Sequence, residues 1–189
     1  MELELPLAIV ADIQTNGIGS RENSWVSEEG NLFLSFAIKL NELPSDLKLE
    51  SASIYFSFLL QETLASLGSK VFLKWPNDLY IEKQKIGGMI TNIVGDTLIC
   101  GVGLNLTHSK KKYGSLDLHI EKKDLLARYF INIEKKILWK QVFSKYKLNF
   151  QTNQNFFTHI NGKKVSLSQA VLENDGSLTI NGERIYSLR

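Results

Sequence analysis

The 189-residue sequence has a single cysteine, Cys100, and only three prolines. One thiol excludes an intramolecular disulfide and leaves no cysteine cluster for zinc. Cys100 lies in the apolar run TLICGVGL, which reads as a buried strand thiol rather than a nucleophile. An excess of either charge is missing too. The 22 basic residues against 20 acidic ones give a formal net charge of +2, too balanced for a general nucleic-acid or membrane binder. Nor is there a long hydrophobic run. The opening MELELPLAIV carries acids where a signal peptide needs bases, and its apolar stretch is too short to cross a bilayer. A cytoplasmic protein without nucleic-acid or membrane partners is expected. Repeats, low-complexity tracts and the phosphate-loop pattern G-x-x-x-x-G-K-[ST] are absent.

What is present describes an ordinary globular chain, with 43% hydrophobic and 22% charged residues. Its length suits one full domain with a small appendage. LPLAIVADI, residues 5–13, reads as a buried strand running into the turn-prone QTNGIGSRENS, and GNLFLSFAI resumes the strand pattern. After a break at Pro44, SASIYFSFLLQETLASLG predicts a buried helix ending at Gly68. Four strands follow, VFLKW, LYI, IGGMITNIV and TLICGVGLNL, with hairpin turns at Lys83-Gln84 and Gly95-Asp96. A polar loop, THSKKKYGSLD, precedes a helical pattern from Lys122 to about Lys147. Three short strands close the chain, turning at Asn174-Asp175-Gly176 and Asn181-Gly182. The fold class is α+β, a mixed sheet with helices on one side and a small C-terminal β appendage.

Four stretches carry candidate chemistry. In KWPNDLY, Pro76 stiffens a corner that presents a cation (Lys74), an amide (Asn77) and a carboxylate (Asp78). Such a set can bind an anion and a metal or position an amine; the same residues also suit a plain turn beside a surface lysine. In QTNGIGSRENSW, Gly17 and Gly19 permit close backbone approach to a ligand, and Arg21 offers a planar cationic fork. The third glycine of a dinucleotide fingerprint is replaced by Glu22, so a Rossmann site is not expected, and a flexible loop is the other reading. KIGGM sets paired glycines inside a strand pattern behind Lys85, which points to a bulge or a packed ligand. GVGLN places Gly101 and Gly103 on one strand face ahead of Asn105, leaving room for a flat ligand or for core packing.

In this order and spacing the four stretches resemble the biotin protein ligases, from about Pro6 to Leu106, with KWPNDLY the most specific of them. The resemblance implies a catalytic domain akin to class II aminoacyl-tRNA synthetase cores over residues 1–159. It implies an SH3-like remnant over residues 160–189. It implies use of biotin, ATP and Mg2+, formation of biotinyl-AMP, and transfer of biotin to a lysine of a biotin carboxyl carrier protein domain. By resemblance, Gln14 and the loop Gly17, Ile18, Gly19, Ser20 and Arg21 cover biotin and the adenylate phosphate. Lys85 binds the carboxylate or phosphate, and Gly87 and Gly88 border the biotin head. Trp25, Asn77, Asn105 and Arg21 contact the nucleotide. Asp78 orients or deprotonates the incoming amine, Lys74 stabilises the mixed anhydride, and no protein metal ligand is assigned. A homodimer through sheet edges is compatible with the resemblance. Lipoate ligation and noncatalytic biotin binding are the alternatives.

Two departures stand out. The family's usual STQ or STN segment has no counterpart before Leu5, which leaves the expected catalytic domain without its N-terminal piece. No winged-helix domain is present, so no DNA binding is expected. Ile18, Ser20 and Asn23 stand where the family loop carries arginines, leaving Arg21 as its one guanidinium. Fewer charge-assisted bonds over the adenylate predict measurable release of free biotinyl-AMP. Retention as tight as that of an arginine-rich relative, in a filter-binding chase, would contradict this.

Overall fold

The computed structural model describes residues 7–19, 24–107, 113–160 and 162–186. The α+β class holds, but the central six-stranded sheet is antiparallel throughout rather than mixed. In chain order the strands are Leu7–Ala11 (β1), Leu32–Lys39 (β4), Phe72–Lys74 (β5), Asp78–Ile81 (β6), Gln84–Val94 (β7) and Thr97–Leu104 (β8). They lie in the order β1-β4-β8-β7-β6-β5. Gly17–Ile18 (β2) and Ser24–Trp25 (β3) form a separate short ladder. Along β8, Leu98, Cys100, Val102 and Leu104 are buried, so the even positions face the core and the odd positions face the other side.

The helix Ala52–Ser66 (α1) covers the core face. Twelve of its residues are buried, because it packs on β5, β6 and β7 and is itself covered by Lys122–Glu134 (α2) and Trp139–Asn149 (α3). It ends as the sequence predicts: Gly68, at φ +97°, donates to the Ala65 carbonyl, and Ser69 donates to that of Leu64.

Several expectations are corrected. The strand read as buried is the edge strand β1, paired only with β4 among the described residues, and Ile9 and Val10 are exposed. The helical pattern of residues 122–147 is two helices, broken where Lys136 takes φ +46°. Asp46, distant in sequence, makes the break possible by accepting the Trp139 and Lys140 backbone N–H groups at 2.7 and 3.1 Å. The β6–β7 turn falls on Glu82-Lys83, one residue early, with Glu82 at φ +52°. The C-terminal part has a hairpin, Phe157–Ile160 (β9) with Lys163–Ser166 (β10), and a three-stranded sheet. That sheet comprises Val171–Leu172 (β11), Leu178–Ile180 (β12) and Glu183–Ile185 (β13). A division after residue 159 therefore falls inside β9.

The corner between β5 and β6 is held from the core side. The Trp75–Pro76 peptide is cis, and Trp75 is buried. Asn153 is also fully buried; its Oδ1 accepts the Trp75 backbone N–H at 2.7 Å, and its Nδ2 donates to the Leu73 carbonyl at 3.0 Å. Asn153→Ala would orphan both buried groups and is expected to destabilise the fold by about 2–4 kcal/mol in urea unfolding. A change below about 0.5 kcal/mol would remove Asn153 from this role.

Candidate active site

A cavity of about 580 Å³ opens on the sheet face opposite α1. Its floor is built from successive register rows: Ser35, Gly101 and Ile90 lie across β4, β8 and β7, with the side-chain-free pair Gly103 and Gly88 next to them. Gln14, Asn16, Ile18 and Gly19 border it on one side, and Asn77, Asp78 and Lys85 on the other. Asn105 and Tyr113 complete the rim.

A β-bulge sets this composition. Tyr80 pairs with Lys85 but Leu79 pairs with Gly87, so Ile86 is the extra residue in β7. Strict alternation would send Lys85 and Gly88 to opposite faces. With Ile86 inserted into the core, both face the cavity. A Cβ on Gly88 would lie 3.3 Å from Asp78 Oδ1 and 3.5 Å from Lys85 Cε, so its small size leaves room for that pair.

The charged groups converge on Asp78. Lys85 Nζ donates to Asp78 Oδ1 at 2.5 Å, and Lys74 Nζ lies 3.5 Å from Oδ2. Two ammonium groups around one carboxylate carry a net charge of +1, which suits an incoming anion. Tyr80 lies beneath Lys74, its ring centroid 5.4 Å from Nζ. Burial, and then the charge of Asp78, push the Tyr80 hydroxyl up to about 12, so it stays neutral in the physiological range. Asn77 ties the corner to β7, with Nδ2 donating to the Met89 carbonyl at 2.5 Å and its own carbonyl accepting the Met89 N–H at 3.0 Å.

Of the residues expected at a site, Gln14, Ile18, Gly19, Trp25, Asn77, Asp78, Lys85, Gly88 and Asn105 line the cavity. Lys74 stands one layer behind, reaching it through Asp78. Gly17 and Gly87 serve packing: a Cβ would meet the Trp25 carbonyl at 2.8 Å in the first and the Gly103 carbonyl at 2.7 Å in the second. Ser20 and Arg21 lie outside the described residues. Ser35 and Ile90 were within reach of sequence reasoning, since alternation puts them in the row of Gly101. Tyr113 was not, because its loop reads as solvated polar chain. In fact Gly114 donates to the Lys85 carbonyl at 3.2 Å and accepts from Asn105 Nδ2 at 3.0 Å, folding the loop onto β7.

Trp25 lies flat on the floor. A Cβ on Gly103 would fall 2.5 Å from two of its indole carbons. Lys85 Nζ is 5.7 Å from the ring centroid, and the buried indole Nε1 has no hydrogen-bond partner among the described residues.

Comparison with known proteins bears on this geometry. The profile of the biotin/lipoate A/B protein ligase family matches residues 1–105. The bifunctional ligase/repressor BirA of Escherichia coli is 34% identical over 112 residues, covering 56% of this chain and 34% of that protein. Human biotin–protein ligase is 31% identical over 117 residues, covering 56% and 16%. The match thus spans 34% and 16% of these two relatives' lengths. Among solved structures, the biotin acetyl coenzyme A carboxylase synthetase of Helicobacter pylori with bound biotinylated ATP superposes with a TM-score of 0.93. It is 38% identical, over 97% of this chain and 88% of that one. The Aquifex aeolicus biotin protein ligase in complex with biotin and ATP shares the fold, with a TM-score of 0.80 at 21% identity over 98% and 87%.

Gly103→Val would drive Trp25 off the floor, since the added carbons meet the indole well inside contact distance. The expected outcome is a shifted Trp25 indole N–H resonance with those of Trp75 and Trp139 in place. Unchanged spectra would show that Gly103 does not seat Trp25.

Proposed function

The chain belongs to the biotin/lipoate A/B protein ligase family, and from that premise we propose that it is an ATP-dependent biotin–carrier protein ligase. Its carrier would be a biotin carboxyl carrier domain of a biotin-dependent carboxylase. The observation that carries the reading is the Lys85–Asp78–Lys74 cluster at the edge of a glycine-floored cavity.

In the first step a biotin carboxylate oxygen attacks the α-phosphorus of ATP. A P–O bond forms, the bond to the β-phosphate oxygen breaks, and diphosphate leaves. Two like unit charges 4 Å apart repel by about 4 kcal/mol at an effective dielectric near 20, so cations must meet the carboxylate as it approaches the phosphate. Lys85 is the cation among the described residues that lines the cavity, and its bond to Asp78 fixes its ammonium there. Gly88 and Gly101 leave room on the cavity floor for the bicyclic ring system of biotin. Trp25, Asn77 and Asn105 suit the nucleotide side.

In the second step the carrier lysine amine attacks the acyl carbon, an amide forms, AMP departs and the amine gives up a proton. Asp78, with one oxygen on each lysine, is the carboxylate in reach of that amine. Lys74 balances charge on the mixed anhydride through Asp78. Asp78 is also the only carboxylate among the described residues lining the cavity, so these residues provide no ligand set for Mg2+. Magnesium would enter with ATP as part of the substrate, and neither step above depends on a protein-held ion.

Among the described residues no helix is long and apolar enough to cross a membrane. We assign the reaction to the cytoplasm, where ATP and carrier domains meet. The edge of β1, unpaired among the described residues, offers a place for the second copy of a homodimer.

The test is a carrier domain incubated with the chain, biotin and Mg-ATP, then weighed. A biotinyl mass increment on one lysine, with diphosphate released, is expected; release with lipoate or octanoate but not biotin would move the assignment within the family. Binding of biotin without diphosphate release would leave a noncatalytic relative. Lys85→Gln is expected to slow diphosphate release by about 10²–10³-fold. Asp78→Asn is expected to slow transfer from preformed biotinyl-AMP by about 10²-fold or more. Parent rates in both variants would contradict the assigned roles.

A further inference from the structure

We propose that the turn Asn174–Asp175–Gly176 is a positioning element for the corner that carries Lys74, Asn77 and Asp78, acting through the hydrogen bond between Gly176 and Trp75. As an effect on catalysis, this rests on the ligase reading above.

Three successive backbone carbonyls of the turn each accept a hydrogen bond from a different part of the main body. That of Asn174 takes the Trp139 indole N–H at 2.9 Å, and that of Asp175 takes the Ser51 hydroxyl at 2.6 Å. That of Gly176 takes the Trp75 indole N–H at 2.8 Å. The donors come from α3, from the residue ahead of α1, and from the corner itself. Carbonyls alternate in direction along a strand, so three facing donors in one wall require a tight turn. Gly176 supplies it at φ +79°, where a Cβ would lie 2.7 Å from Ile54 Cδ1 and 3.3 Å from the Trp139 ring.

The turn is also braced from within. Gly176 N–H donates to the Glu173 carbonyl, and Glu173 N–H to that of Ser177. The Asp175 carboxylate accepts the Ser177 N–H and hydroxyl and Arg184 Nη2, while Arg184 Nε donates to Ser177 Oγ.

Of the three anchors, only Trp75 leads to the cavity. Its ring nitrogen is fixed by Gly176 and its backbone nitrogen by Asn153, so its position is determined at two points. Lys74 and Pro76 are its immediate neighbours, and Asn77 meets Met89 two residues on. A shift of Trp75 therefore moves Lys74 relative to Asp78, now 3.5 Å apart. Trp139 and Ser51 belong to the helical layer and reach the corner only through it.

The pair Trp75→Phe and Trp139→Phe separates positioning from stability, since each removes one indole N–H from a carbonyl of the same turn and keeps a ring. Both are expected to lower the unfolding midpoint to a similar degree. Trp75→Phe is expected to reduce kcat for biotin-dependent diphosphate release about ten-fold with little change in KM. It should also shift the Asn77 side-chain amide and Met89 N–H resonances. Trp139→Phe is expected to leave kcat within about two-fold and those resonances in place. Equal loss of kcat in both variants, or no shift in Trp75→Phe, overturns the proposal. If the parent chain releases no diphosphate, the ligase reading fails separately, and the resonances alone decide the coupling between turn and corner. Should Trp75→Phe not fold, Arg184→Ala loosens the turn from the surface. It is expected to lower kcat about three-fold at unchanged KM and to shift the same two resonances; unchanged resonances would overturn the proposal.

Discussion

Two ammonium groups brought towards one spot repel each other unless a carboxylate stands between them, and Asp78 is that carboxylate. Its oxygens face Lys85 at 2.5 Å and Lys74 at 3.5 Å, at an incompletely buried position where the charges are only partly screened. The surrounding framework serves this contact. The β5–β6 hairpin brings Lys74 opposite Asp78, and the β6–β7 ladder brings Asp78 opposite Gly88. The helical layer behind the sheet then gives the hairpin something rigid to rest on.

The two faces of the sheet are specified by different means. Towards α1, branched and aromatic side chains interlock, with Phe36 meeting Phe56, Tyr129 and Phe130 edge to face. Towards the cavity, specificity comes from what is left out. Gly101, Gly103 and Gly88 carry no side chain, and Trp25 occupies part of the space that results. Substitutions on the first face act through stability, and on the second through shape.

Much of this was legible because the signals are local. Alternation in TLICGVGL assigns Cys100 and Gly101 to opposite faces, and Asn181-Gly182 marks its turn by composition, taking φ +51° and +80°. KWPNDLY was legible as a corner with chemistry. What escaped was set by partners far along the chain. Asp46 caps a helix that begins 93 residues later, and no pattern within residues 122–147 announces the break. Asn153, in the polar run QTNQN, is wholly buried because it answers Leu73 and Trp75. The exposure of β1 likewise depends on its place in the sheet, which apolar content alone cannot give.

The extra residue at Ile86 has a bearing on how this chain could vary among its kin. Removing one residue between Lys85 and Gly88 would keep every strand in the sheet, yet exchange which side chains look outward. Length changes at Glu82-Lys83 or Gly95-Asp96 lie in surface turns and carry no such parity cost. In descendants of this sequence, gaps are therefore to be sought in those turns, while the count of residues from Lys85 to Gly88 is inherited as a unit.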